Sequence, residues 1–380
     1  MTRANALIDA IENRRTTNIF DSSRGISDEV PILAQALASL PRCDLVDGPT
    51  PIQRLRRIEA KLGSSLNGVE LYAKRDDFMS LGGGGNKLRK LEFLLGEAMA
   101  AGADAIIATG GRQSNFARLA AGAAARMGLS CELVLARMVP RESDEYDRNG
   151  NVLLDELFGA RLHDLAIGID ATRFAQDRAK ELQLLGRTAY VATLGGSSPI
   201  GSVGYAAAAL EVHAQAGELG IEFSEIVIPN GSSGSQAGLI AGYRALGIDT
   251  RRIRSHSVLA PVEVARAATV EKANAVLAIL GYQASIELGD VNISGNQRGA
   301  GYGIPTPAMI DAVRLMASSE GLLLDPVYGG KAFAGLLEDI QSGRYGTGDR
   351  VLFVMTGGSP GLHAYASEFT THRPDTSAGF

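Results

Sequence analysis

The stretch Leu81-Gly82-Gly83-Gly84-Gly85-Asn86-Lys87 runs straight into Leu88, Leu91, Leu95 and Ala98 at helical spacing. Four consecutive glycines lose more backbone entropy on folding than any other run, so they are a poor choice for a plain linker. Placed between a strand candidate and a helix they have a use. Backbone without Cβ atoms can approach a ligand closely, and the first turn of the helix offers free N–H groups to an anion. A lysine at that point has three readings: a phosphate contact, a solvated first-turn residue, or an amine that forms an imine. The segment is not the GxxxxGK[ST] of a nucleotide-binding loop, because Leu88 stands where the magnesium-binding hydroxyl belongs.

Outward from that turn the chain alternates between short apolar runs and amphipathic helices. Strands are predicted at Val69 to Lys74, Ala105 to Thr109, Cys131 to Ala136, Leu162 to Ile167, Ala189 to Ala192, Glu225 to Pro229, Ser255 to Ala260 and Val351 to Met355. Helices are predicted over 87–101, 116–127, 171–185, 203–217, 236–246, 262–280, 306–320 and 331–342. Short apolar strands separated by helices are what a parallel sheet covered on both faces requires, so the fold class is α/β. Residues 1–48 read as an N-terminal extension, with a mixed-charge helix followed by a looser segment, and Pro51 marks the entry to the main fold.

At 380 residues the chain exceeds one ordinary core, which predicts two closely packed domains. With 45% hydrophobic and 21% charged residues it has the balance of a folded protein. A net charge of -5 without a basic run argues against nucleic acid or an anionic membrane as partner. Cys43 and Cys131 have no paired spacing, so neither a disulfide framework nor a zinc site is expected. The five histidines form no HExxH or similar grouping, and no metal is expected. The N-terminus lacks a secretory apolar core, and no stretch nears the roughly 20 apolar residues that cross a bilayer. A cytoplasmic location is the expectation.

Three further segments depart from plain scaffold. Gly110-Gly111-Arg112-Gln113-Ser114-Asn115 lies between a strand and a helix, where open α/β sheets bind ligands. Ser114 or Asn115 can be an ordinary N-cap, or the turn can hold a carboxylate with help from Gln113 and Asn115. Asn230-Gly231-Ser232-Ser233-Gly234-Ser235-Gln236 has the small residues that let amides converge on a phosphate, using hydrogen bonds and the helix dipole in place of a positive side chain; the alternative is a flexible connector. Tyr302 and Tyr328, each beside a glycine, and the Thr356-Gly357-Gly358 turn can be packing elements or proton-handling groups.

In this order the segments resemble the family of D-cysteine desulfhydrase and 1-aminocyclopropane-1-carboxylate (ACC) deaminase, within the tryptophan-synthase-β-like pyridoxal-phosphate (PLP) enzymes. The matching stretches are KRDD at Lys74–Asp77, GGNKLRKLEFLLGEA from Gly84, QSN at Gln113–Asn115, GSSGSQAGL from Gly231, EGLLLDPVYGGKA from Glu320 and TGGSPGL from Thr356. The resemblance spans about 48–366. It implies a two-domain fold of open, twisted, mostly parallel sheets, with a large cofactor-binding domain from 49–87 and 200–380 and a small domain from 88–199. It implies pyridoxal 5'-phosphate as cofactor, Lys87 as the Schiff-base lysine and Asn86 beside the cofactor's phenolic oxygen. Gly231, Ser232, Ser233, Gly234 and Ser235 would hold the phosphate, and Gln113, Ser114 and Asn115 the substrate carboxylate. Ser114 is also the family's nucleophile or proton carrier, Tyr302 and Tyr328 match its active-site tyrosines, and Thr356 stands as partner of the pyridine nitrogen. A small amino acid as substrate and a homodimer follow from the same likeness.

Two positions depart from the pattern. Position 329 is Gly, where ACC deaminases carry glutamate and D-cysteine desulfhydrases tend to carry threonine. That favours a good leaving group such as sulfide or sulfite over opening a cyclopropane. Arg112, ahead of QSN, is a candidate for meeting an extra substrate anion such as the sulfonate of cysteate, or else a solvent-facing loop residue. The sequence-level function is therefore a PLP-dependent lyase or deaminase performing β-elimination. ACC deamination is the alternative. A low-turnover PLP- or amino-acid-binding regulator is the alternative of another class, and a nicotinamide dehydrogenase lacks its early glycine fingerprint.

Overall fold

A computed structural model describes residues 29–370. Among the described residues ten strands form two sheets. The six-stranded sheet contains β1 (Ile52–Arg54), β2 (Glu70–Arg75), β7 (Glu225–Asn230), β8 (Ile253–Ser257), β9 (Asn292–Ser294) and β10 (Arg350–Met355), in the order β1-β2-β10-β7-β8-β9. The four-stranded sheet orders β5 (Arg161–Leu165), β4 (Ser130–Ala136), β3 (Ala105–Gly111) and β6 (Ala189–Ala192). Every pairing is parallel except β1 with β2. β3 reads AIIATGG and is buried at all seven positions, as a strand covered by helices on both faces must be.

The chain leaves the larger sheet after β2, builds the smaller one with β3 to β6, and returns as β7. β10, the last strand, then enters between β2 and β7. Their carboxyl ends therefore open on one crevice, and the turns that follow β2, β7 and β10 meet there with the turn after β3. Between the two sheets lies the helix Lys87–Ala100. Its Leu88, Leu91, Leu94 and Leu95 pack into the core of the small sheet, while Phe93 packs with the large one.

The structure corrects several expectations. The segment ahead of the main fold is not loose throughout: Glu29–Ala38 is a helix whose Val30, Leu33, Ala34 and Leu37 recur at helical spacing and are buried against the large core. The helix expected near the start of the chain lies outside the described residues. The strand expected at Ser255 to Ala260 begins two residues earlier and ends at Ser257. Its pairing with β7 runs from Ile226↔Ile253 to Asn230↔Ser257, so ladder register outweighs the apolar run Val258–Ala260, which bends away. β1 and β9 are three residues each, too short to carry a period, and were not anticipated. The short helices Arg56–Leu62, Asp144–Arg148 and Asn151–Leu157 were likewise missed. Among the described residues no helix is long and apolar enough to cross a membrane.

Candidate active site

The glycine turn is set by contacts that leave no room for a Cβ. Gly84 has φ +76, and a Cβ there would lie 2.4 Å from the Asp77 carbonyl and 2.5 Å from that of Met79. Its own carbonyl accepts from the buried Arg118 guanidinium at 2.6 Å. Asn86 N donates to Thr356 O at 3.0 Å, tying this turn to the end of β10. Beneath it Arg89 is held by Asp76 at 2.8 Å and Glu211 at 2.8 Å, a buried network that fixes the first turn of the lysine helix.

Lys87, the first residue of that helix, turns its amine into the cavity. It has no hydrogen bond or ion pair among the described residues. Burial lowers its pKa to about 8, and the Asp325 carboxylate opposes that shift. Asp325 receives the amides of Gly329 at 2.6 Å, Tyr328 at 3.1 Å and Val327 at 3.2 Å. Burial nevertheless raises its pKa to about 6, against those three amides and Lys87.

Opposite Lys87 is the turn after β7. Ser233 sits in the left-handed region at φ 69, ψ -23, a conformation that costs a non-glycine residue of order 1–3 kcal/mol. Its hydroxyl faces inward, to Asn230 Oδ1 at 3.3 Å and Ala265 O at 3.2 Å. The turn thus presents amides, not that side chain, and the helix Gly234–Ala245 adds the unpaired amides of Ser235 and Gln236. Gly231 lies under the Tyr328 ring, where a Cβ would come within 2.8 Å of Cε1. Asn86 Nδ2 donates to Ser235 Oγ at 3.3 Å, linking the two turns.

The expectation that this cup lacks a positive side chain does not hold. Lys90, one helical turn after Lys87 and fully buried, donates to Ser197 Oγ at 2.7 Å, and that oxygen lies 2.7 Å from Ser232 Oγ. Burial and the neighbouring charges of Lys87 and Lys272 hold its pKa well below the usual lysine value. An anion in the cup would supply the missing opposite charge. The spacing of Lys87 and Lys90, three residues apart on one helix face, was the signal that could have found it.

Asn86, Lys87, Ser114, Asn115, Gly231, Ser232, Ser233, Gly234, Ser235, Tyr302, Tyr328 and Thr356 all line this one cavity. Arg112 and Gln113 do not. Gln113 Nε2 donates to Tyr146 O at 2.6 Å and Asn149 O at 2.9 Å, while Oε1 accepts from Asn151 N at 2.9 Å. Arg112 is paired with Asp147 at 3.3 Å and Asp164 at 2.9 Å. Ser114 is the N-cap of Asn115–Met127, its Oγ accepting from Ala117 N at 3.1 Å. Its hydroxyl proton is left for another acceptor, so the cap and a ligand contact are compatible. The Tyr302 and Tyr328 hydroxyls are 2.6 Å apart. Burial raises both pKa values, so both phenols are neutral near pH 7. Phe116, Met138, Leu194 and Leu259 form the apolar wall.

An unpartnered amine facing an amide-rich anion cup, with a second lysine behind the cup, fits a phosphorylated aldehyde. Comparison with known proteins agrees. The family model described as pyridoxal-phosphate dependent enzyme matches residues 44–357. The D-cysteine desulfhydrase of Salmonella schwarzengrund is 39% identical over 332 residues, 87% of this chain and 97% of that protein. The one from Salmonella paratyphi A is 38% identical over the same shares. A crystal structure described as an ACC deaminase homologue superposes with a TM-score of 0.79 at 34% identity, covering 89% of this chain and 98% of that one. An aspartate racemase structure at 15% identity and TM-score 0.58 shares the fold. This chain belongs to the pyridoxal-phosphate dependent enzymes of the tryptophan-synthase-β-like fold, and pyridoxal 5'-phosphate is its cofactor.

Proposed function

We propose that the protein is a lyase that eliminates sulfide from D-cysteine or a closely similar small amino acid, giving a 2-oxo acid, ammonia and sulfide. The observation that carries this is the meeting of the Lys87 amine, the amide cup and the paired Tyr302 and Tyr328 hydroxyls in one cavity. The D-cysteine desulfhydrases, aligned over 87% of the chain, support the substrate class.

Lys87 would bond the cofactor's aldehyde carbon and, once displaced by the substrate amine, take the proton from Cα. Its lowered pKa suits that work near neutral pH. The amides from Gly231 to Ser235, with Ser232 and Lys90 behind, would hold the phosphate, and Asn86 would face the phenolic oxygen. Thr356, whose hydroxyl has no partner among the described residues, would face the pyridine nitrogen. When bound, the cofactor ring takes up the charge left at Cα. Ser114 and Asn115, at a helix N-terminus, would hold the substrate carboxylate. The tyrosine pair would deliver a proton to the departing sulfur.

Two observations favour a thiol over other leaving groups. Arg112 is engaged by Asp147 and Asp164, and among the described residues the only cationic side chains lining the cavity are Lys87 and Lys90. A sulfonate would find no free partner. Position 329 carries no carboxylate, and its amide is already bonded to Asp325, which leaves ACC deamination as the weaker reading. We further propose a cytoplasmic homodimer, with residues 49–87 and 200–380 as the cofactor domain and 88–199 as the small domain; sedimentation would test the dimer.

A panel of D- and L-cysteine, D- and L-cysteate, D-serine and ACC, scored for 2-oxo acid and for sulfide or sulfite, tests the assignment. D-cysteine should lead. Lys87→Ala should abolish both turnover and the borohydride-sensitive absorbance of the bound cofactor, and a retained band would sink the assignment. Cofactor uptake by the apo chain should rise with pH and level off above about 8, because the neutral amine is the attacking form.

A further inference from the structure

Residues 295–306 carry Tyr302 yet have little structure of their own. The segment reads GNQRGAGYGIPT and contains neither helix nor strand. Its internal backbone bonds are two turns, Arg298 N to Gly295 O at 3.2 Å and Ile304 N to Gly301 O at 3.3 Å. Gly299 and Gly303 both have positive φ. A stretch this rich in glycine loses much entropy on ordering, so its conformation must be imposed from outside.

The helix Gly329–Gln341 imposes it. Lys331 is fully buried, and its ammonium donates to Arg298 O at 2.8 Å and Gly301 O at 3.0 Å. Among the described residues it has no carboxylate partner, so two loop carbonyls take the place of a counter-ion. One of them belongs to the residue just before Tyr302. Tyr365 adds a third grip, its hydroxyl donating to Gly303 O at 2.8 Å on the other side. Lys331 also lies three residues beyond Tyr328, whose hydroxyl meets that of Tyr302. The same helix start thus holds one tyrosine directly and the other through its loop.

We propose that Lys331 is a positioning residue, a tethered cation that clamps the 295–306 loop through its carbonyls and so aims the Tyr302 hydroxyl at Tyr328 and the cavity. The inference rests on the reading of Tyr302 as a proton-handling group. A lysine suits the task because three N–H donors on a flexible stem can serve two carbonyls at once.

The test uses the holoenzyme. Lys331→Ala should lower kcat about ten- to a hundredfold with KM changed less than threefold, approaching the loss from removing a positioned proton carrier. The cofactor absorbance band should be unchanged. Hydrogen exchange over 295–306 should accelerate. Ethylammonium, a small cation with N–H donors, should restore much of the rate and the protection, with its effect on the unaltered enzyme subtracted; tetramethylammonium, which has no N–H, should not. Should the alanine variant fail to fold, Lys331→Met keeps the stem and should show the same loss of rate and protection. Ordinary turnover and exchange in Lys331→Met would overturn the inference, as would a loss that ethylammonium leaves untouched. Full activity in Tyr302→Phe would instead remove the proton-handling role, and with it the aiming.

Discussion

The turns after β3 and β7 occupy matching places, each at the carboxyl end of a buried parallel strand and the start of a helix. They use their residues in opposite ways. After β7 the side chain of Ser233 points inward and the backbone is bent through the left-handed region, so amides face the cavity. After β3 the backbone of Ser114 is extended, and the side-chain oxygens of Gln113, Ser114 and Asn115 accept hydrogen bonds from the protein itself. The first arrangement makes a site out of main chain. The second braces a helix end so that its position is reproducible. A permanent phosphate and a transient carboxylate would each be served by the arrangement they meet.

The largest expected effect comes from breaking the main-chain site. In Gly231→Val the new Cβ would meet the Tyr328 ring at 2.8 Å, and the ring, packed edge-on against Tyr302 and bonded to it through its hydroxyl, cannot withdraw freely. Overpacking of this kind costs roughly 2–3 kcal/mol, or about thirty- to a hundred-and-fiftyfold in cofactor Kd where the cup must close against it. The paired control is Gly111→Ala at the end of β3, where the turn begins and the nearest atom is the flexible Met138 sulfur at 3.4 Å. Cofactor affinity should be nearly unaltered there. Fluorescence titration of both apo variants with the cofactor decides, and equal losses would show that the two turns are not distinct in kind.

An intermediate effect should follow from loosening the braced turn. Gln113→Leu strands the Tyr146 and Asn149 carbonyls and the Asn151 amide, which Gln113 now satisfies. The cost should be roughly 2–4 kcal/mol of stability, read as a lower urea midpoint. Cofactor affinity should hold within threefold. Normal stability with lost amino-acid binding would mean that Gln113 faces the substrate instead.

How much of this was legible follows the same division. The main-chain site could be read from residues 231–235 because a strand, a run of glycine and serine, and a helix in succession leave few other conformations. Lys87 was legible for a similar reason, standing where a glycine turn meets a helix. Side-chain allegiance was not. Arg112 and Gln113 look from the sequence like ligand contacts, but Asp147, Asp164 and residues 146–151, which claim them, lie 33 or more positions away. Lys90, Asp325 and Lys331 were overlooked for the same cause, since Ser197, Lys87 and Arg298 become their neighbours only through the fold. The strand at Ser255 was misplaced because register depends on a partner strand, which no local window contains.

The smallest effect is also the one that separates cap from chemistry at Ser114. Its oxygen accepts the Ala117 amide at 3.1 Å, so Ser114→Ala should cost about 1 kcal/mol of stability, whereas Ser114→Gly should cost only a few tenths, as glycine is tolerated at an N-cap. The two variants differ in helix capping and agree in lacking the hydroxyl. If that hydroxyl carries a proton or contacts the substrate carboxylate, turnover falls equally in both, whatever their midpoints. If turnover instead follows stability, with glycine near the unaltered enzyme and alanine below it, Ser114 is a cap alone. Holding the carboxylate would then fall to Asn115 and the amides of the braced turn, with no hydroxyl taking part.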